Sequence, residues 1–177
     1  MIGTLALALL AQASGDLGAA KARETATARV PVAQAIAADP ELAKAVQAKN
    51  QAGESDADVL KKDKEWQANP RYPLRQELTS NACAARLKKL LAGEPIVVEA
   101  FLMDNKGALV CSTRETSDYW QGDEAKWQST YADGKPVFID QPALDISTNS
   151  FGVQLSVIVK DGGKAAGALT LTLKVPR

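Results

Sequence analysis

Two hydrophobic rhythms divide this chain near Pro95. Before it, apolar residues recur at helical spacing among Ala, Lys, Glu and Gln, which are strong helix formers. Residues 16–50 read as one long helix, kinked or broken near Pro31 and at Asp39-Pro40. There Asp39 serves as N-cap and Pro40 takes the first helical position. Ser55-Asp-Ala-Asp58 opens another helix in the manner of a capping box, reaching about Gln67. Asn69-Pro-Arg-Tyr-Pro73 reads as a loop. Asn81 caps a third helix to Leu91, with Cys83, Leu87 and Leu90 on one face and Gly93 and Pro95 as its stop.

After Pro95 the period falls to two. Ile96–Met103 is apolar and β-branched, Asp104-Asn-Lys-Gly107 is a hairpin turn with Gly where a positive φ is required, and Ala108–Thr113 returns. Lys135–Asp140 is a third strand and Ser150–Val159 a fourth. Lys160-Asp-Gly-Gly-Lys164 turns into the last, Ala165–Val175, where Leu169, Leu171 and Leu173 alternate with Thr170, Thr172 and Lys174. Helices followed by about five antiparallel strands form an α+β pattern. The expected organisation is a helical region over 14–94 and a sheet core over 95–177. The first residues differ from both: Ile2–Ala11 is apolar and Ala11-Gln-Ala13 resembles a cleavage site. The run suits the apolar part of a signal peptide over 1–13, although no Lys or Arg precedes Lys21. No later segment is long and apolar enough to span a bilayer.

Composition narrows the function. Lys plus Arg and Asp plus Glu each total 21, so net charge is zero and nothing suggests nucleic acid. There is no histidine, which removes Ser-His-Asp and Cys-His catalysis and histidine metal sites. Asp56, Asp58 and Asp161 lack the spacing of a calcium loop. Paired carboxylates such as Asp118 and Asp123 come with no nucleophile or base at a defined spacing. An enzyme is therefore disfavoured, and neither metal nor cofactor is expected.

The candidate chemistry lies in Thr116–Gln128. Five of the nine aromatic residues fall between 119 and 138, interleaved with Asp118, Asp123 and Glu124. Such a cluster can wall a small-molecule pocket or form a mini-core with a solvated rim. Tyr119 and Trp120 are adjacent and point different ways. Trp127 and Tyr131 share a face of a short helix over 123–132. Asp123 reads as the cap of that helix or as a ligand contact, while Glu124 and Lys126 read as solvated. Gln154 falls on the opposite parity to Phe151, which shares its face with Val153, Leu155 and Val157, so a buried Gln154 needs partners or a ligand.

The order of Phe101-Leu-Met-Asp-Asn-Lys-Gly107, Thr116–Trp127 and Asp161-Gly-Gly-Lys-Ala-Ala-Gly167 resembles the extracytoplasmic PDC sensor (Cache) domains, in particular small stand-alone members. The resemblance covers about residues 95–175. It implies a PAS-like fold: a central antiparallel sheet, a long N-terminal helix on one face and a ligand pocket on the other. It further implies a periplasmic protein that binds a small molecule and, ending at Val175-Pro-Arg177 with no output segment, serves a separate membrane transducer. It makes Asp140, at the end of its strand, a ligand contact. Members that bind amino acids place an Arg two residues before Trp127, where this chain has Ala125. Between 115 and 145 there are seven acids and two lysines. A carboxylate finds no Arg fork there, so the expected ligand is neutral or cationic, held by aromatic faces and carboxylates.

The rival reading is an interaction protein on a PAS-like scaffold with a filled pocket. Under either, the Ala-rich N-terminal helix is a surface for homodimerisation. Cys83 and Cys111 are expected in one layer, with Cys111 opposite Ala100 on the face of Ile96, Val98, Leu102 and Leu109. A disulfide and two buried thiols are both open.

Overall fold

Arg29 is where the first helix breaks. A computed structural model describes the backbone of residues 2–145 and 149–176 and the side chains of 15–144 and 149–176. It places α1 at Ile2–Ala28 and α2 at Val30–Ala37, with Pro31 in the first turn of α2, where its missing N–H costs no hydrogen bond. The side chains of the leader expected over 1–13 lie wholly outside the described set. α3, Pro40–Gln51, starts at Asp39, whose carboxylate accepts the N–H groups of Glu41 (3.1 Å) and Leu42 (3.3 Å). Ser55 Oγ accepts from Asp58 N to start α4, Asp56–Ala68. Asn81 does the same for α6, Ala82–Leu90, accepting from Ala84 N at 2.8 Å. Between them lies a helix the sequence pattern did not predict, α5, Pro73–Ser80. It is too short to show a period, but Pro73 takes a first-turn position and Leu78 buries its side chain.

The strands are β1 (Val97–Met103), β2 (Leu109–Ser112), β3 (Val137–Ile139), β4 (Ala143–Asp145), β5 (Ser150–Asp161) and β6 (Lys164–Pro176). They form one sheet in the order β2-β1-β6-β5-β3, with the short β4 also pairing β5, and every described pairing is antiparallel. This is an α+β, PAS-like fold, with one three-residue strand more than the sequence predicts. β2 and β3 lie at opposite edges, so residues 113–136 must cross the sheet between them.

The two faces of the sheet differ. One is aliphatic: Ala100, Leu102, Val153, Leu155, Val157, Leu169, Leu171 and Leu173 pack there against α1, α2, α3 and α6. The other is aromatic: Phe101, Met103 and Leu109 pack against Val59 and Trp66 of α4, Leu78 of α5 and Tyr119 of the crossing segment. Phe151 joins the aliphatic face, as its parity predicts.

The expected register of Cys111, opposite Ala100, is off by two residues. Cys111 lies opposite Leu102, and the next pair is Met103 with Leu109, leaving Val110 as an extra residue. That bulge sends Leu109 to the aromatic face while Cys111 stays on the aliphatic one. Cys111 is bonded to Cys83 across a Cα–Cα distance of 5.8 Å, which fastens α6 to β2.

Candidate functional site

The aromatic–acidic segment is anchored by its backbone and its indoles. Asp63 of α4 turns one carboxylate oxygen onto the consecutive N–H groups of Tyr119 and Trp120, both at 2.9 Å. Trp66 Nε1 donates to the Thr116 carbonyl (3.1 Å). Trp120 and Trp127 donate to the carbonyls of Lys106 (2.8 Å) and Asp104 (3.0 Å), fixing both rings on the β1–β2 turn. That turn is rigid for a reason. Asp104 Oδ1 accepts from Lys106 N and Ala108 N, and Gly107 sits at φ 80° with Gly122 packed on it so closely that a Cβ would lie 2.3 Å from Gly122 Cα. Burial pushes the Asp104 carboxyl up from its ordinary value despite those two N–H bonds.

The pocket implied on the sheet face opposite α1 is filled, because Trp66, Phe101, Met103 and Tyr119 are each at most 1% exposed there. Open space lies beside it. A cleft of about 670 Å³ runs between the helices and β2, lined by Lys49, Lys62, Tyr72, Leu78, Cys83 and Tyr119 among others. An adjoining hollow of about 420 Å³ shares Lys49, Lys62 and Tyr72 and adds Glu54. Glu54 is the hub where they meet. Its Oε2 lies 2.6 Å from Lys49 Nζ and its Oε1 2.5 Å from Lys62 Nζ, with the Glu54 side chain 10% exposed. The Tyr119 hydroxyl accepts from Lys49 Nζ (2.8 Å) and donates to Glu54 Oε2 (3.1 Å). Burial acts to raise the Glu54 carboxyl, but the two ammoniums outweigh it and hold the group below its ordinary value. Burial, then the Glu54 charge, push the Tyr119 phenol far up, so it stays protonated.

Six of the seven candidate residues are distributed over three places, and Asp123 is at none of them. Tyr119 alone reaches the cleft. Trp120 and Trp127 line a separate groove of about 520 Å³ on the far side of α4, with Tyr131 stacked on Trp127 at 5.2 Å between ring centroids. Gln154, inside β5, and Asp140, just after β3, lie together. There the Asp140 N–H donates to the Gln154 carbonyl at 2.9 Å, and Gln154 pairs in register with Thr172. Thr172 in turn donates to Glu99, whose carboxyl is raised by burial. Asp123 is exposed and caps nothing, because Gln121–Glu124 closes a turn first (Glu124 N to Gln121 O, 3.2 Å). The short helix therefore begins only at Ala125, continuing as a π-helical turn over Gln128–Ala132. Lys126, expected in solvent, is 4% exposed, paired with Glu124, its ammonium 5.6 Å from the Phe101 ring centroid.

Lys49, Glu54 and Lys62 escape sequence reasoning because they lie on α3, a corner and α4, each among other exposed charges. The one local signal is Gly53-Glu54-Ser55. Gly53 ends the preceding helix at φ 65° and Ser55 starts the next, so the residue between them is fixed in a tight corner.

No family model and no curated protein sequence matches the chain. Among solved structures it is similar to the ligand-binding domain of the amino acid chemoreceptor PctC of Pseudomonas aeruginosa in complex with GABA. That likeness has 17% identity, covers 62% of this chain and 54% of that one, and has a TM-score of 0.44. It is similar to the sensor domain of the Vibrio cholerae histidine kinase DctB at 14% identity, covering 94% and 56%, TM-score 0.48. For the ligand-binding domain of the Pseudomonas fluorescens chemoreceptor CtaA in complex with L-alanine the figures are 13%, 94%, 59% and 0.47. The chain thus spans 54–59% of the length of these domains.

Proposed function

We propose that this chain is a small-molecule-binding sensor module of the PDC type, working outside the cytoplasm and binding its ligand in the cleft over Glu54. The observation that carries this reading is the convergence of two ammoniums, a carboxylate and a phenol where the largest described cleft meets the adjoining hollow. Glu54 held ionised and Tyr119 held protonated are set to bind rather than to transfer protons. The Cys83–Cys111 bond agrees with an oxidising compartment, reached through the leader expected over 1–13. Signal output falls to a membrane transducer, and α1, where Leu17 is 73% exposed, is the surface for pairing with a second copy. Sedimentation that shows a monomer at high concentration removes the pairing.

The ligand's charge follows from the cleft, not from the acidic segment. Only Tyr119 of residues 115–145 reaches it, and Lys49 and Lys62 are balanced by Glu54 and by Glu77, which also lines the cleft. The neutral part of the expected ligand class stands as our reading. A cation would meet the Lys49 and Lys62 ammoniums at the base, so the neutral part is the one carried into the test. A calorimetric and thermal-shift screen of small amides, polyols, carboxylates and amines tests it. Neutral compounds are expected to raise Tm by mass action, and Lys62→Gln to remove the rise. A response confined to amines overturns the assignment. The filled aromatic face supports a second reading, a scaffold without ligand, which gains if no compound in the screen shifts Tm.

A further inference from the structure

The groove on the far side of α4 carries a second site. It is lined by Asp56, Leu60, Lys106, Trp120, Trp127 and Gln128 among others and holds about 520 Å³, within the size range of small-molecule sites. Four observations separate it from a filled mini-core. Trp120 and Trp127 are only half-buried, although both indole N–H groups are already satisfied on backbone carbonyls. Their remaining capacity is therefore ring surface, not hydrogen bonding. Leu60 beside them is 43% exposed, so the apolar floor continues into solvent. Gly122 is the only residue type that fits under Trp120, since a Cβ there would lie 2.4 Å from the indole nitrogen. The rings are thus held in place before any ligand arrives. The charged groups in the lining, Asp56 and Lys106, are paired with each other, so the groove has no spare charge of either sign.

We propose that this groove binds a neutral sugar ring. A pyranose has one face of C–H groups for Trp120, Trp127 and Leu60, and hydroxyls at its edge. Those hydroxyls can donate to Asp56, accept from Lys106 and donate to the side-chain carbonyl of Gln128, whose amide N–H is held on the Gly122 carbonyl. A cation finds Asp56 already engaged, and an anion finds Lys106 likewise engaged. The site is separate from the Glu54 cleft, although α4 and the Tyr119–Trp120 segment border both.

The experiment is intrinsic fluorescence and calorimetry of the full chain titrated with glucose, galactose, N-acetylglucosamine and their β-linked disaccharides into the tens of millimolar. Trp66 is fully buried, so a spectral change is assigned to the groove by comparing Trp120→Phe and Trp127→Phe. At least one sugar is expected to give a saturable change. Leu60→Asp and Gln128→Ala are expected to weaken it by roughly three- to tenfold with unchanged far-ultraviolet dichroism. Lys62→Gln, in the other cleft, is expected to leave it unaltered. No saturable response to any of these sugars overturns the proposal. So does a response that survives Leu60→Asp and Gln128→Ala intact, or one that Lys62→Gln removes.

Discussion

The two faces of the sheet are built by different rules. The aliphatic face is held by burial alone: Leu155, Leu169, Leu171 and Leu173 are fully buried and their side chains ask nothing of their neighbours but shape. The aromatic face is held by burial together with directed bonds. Trp66, Trp120 and Trp127 each spend their indole N–H on a backbone carbonyl, and Asp63 gathers two backbone N–H groups. All three described clefts that touch Tyr119, Trp120 or Glu54 border this second face. A face that must position polar groups around open space cannot be made from leucine alone, and the bonds replace the packing that the openings remove.

The largest effects should come from testing that contrast directly. Trp66→Ala is expected to cost about 3–5 kcal/mol and Leu171→Ala about 2–5 kcal/mol in urea unfolding. The sharper readout is what remains. Leu171→Ala should lower stability while leaving Tyr119 and Trp120 in place, because it opens a cavity on the other face. Trp66→Ala frees the Thr116 carbonyl and the Asp63 neighbourhood, so it should also abolish any ligand-induced shift of Tm. Equal loss of ligand response in both variants would mean the faces are one unit.

Next is the bond that fastens α6 to β2. Cys83 and Cys111 are 28 residues apart, and releasing the loop they close is expected to cost about 3–4 kcal/mol on the chain-entropy account. Because Cys83 lines the cleft, the Cys83→Ser, Cys111→Ser variant should lose ligand response and stability together. Mass spectrometry without reductant checks that the parent carries the bond. Below that in size stands Asp63→Ala, which leaves two buried N–H groups unpaired and is expected to cost about 1–3 kcal/mol. Its signature is a change in Trp fluorescence larger than that of Leu171→Ala at equal loss of stability.

The same contrast explains what could be read in the sequence. The aliphatic face follows from period alone: Leu169, Leu171 and Leu173 announce their strand, and Phe151 its side. Caps at Asp39, Ser55 and Asn81 are local and equally legible. The aromatic face is not, because its logic is long-range. Nothing near Asp63 says that its partners lie at 119 and 120, and nothing near Lys126 says that the crossing segment will bury it. The bulge at Val110 defeats parity counting, so Leu109 changes face. Thr116–Gln128 was visible as unusual chemistry, but its aromatic groups turned out to be divided between the Tyr119 cleft and the Trp120–Trp127 groove. Lys49, Glu54 and Lys62 meet only because two helices turn back on each other at Gly53.

The smallest effect is also the most specific to the open side. Glu54 has a carboxyl held below its ordinary value of 4.5, so its ionised form is favoured by folding. A group with a depressed pKa contributes stability above its unfolded pKa and loses it as pH falls through the folded one. Acidification from about pH 5 downward should therefore erode the parent's stability. Glu54→Gln, which removes the titrating group, should lower stability near neutrality by about 1 kcal/mol, since Lys62 is partly solvated and the pair is screened. It should then flatten the acid limb, so that parent and variant converge as pH drops. Asp39, whose carboxyl the Arg86 guanidinium lowers in the same sense, sits among the helices of the aliphatic side and supplies the internal control. Asp39→Asn should flatten the acid limb without touching ligand response, whereas Glu54→Gln should change both. If Glu54→Gln altered the acid limb and left every ligand response intact, the cleft would be a structural ion pair with open space above it.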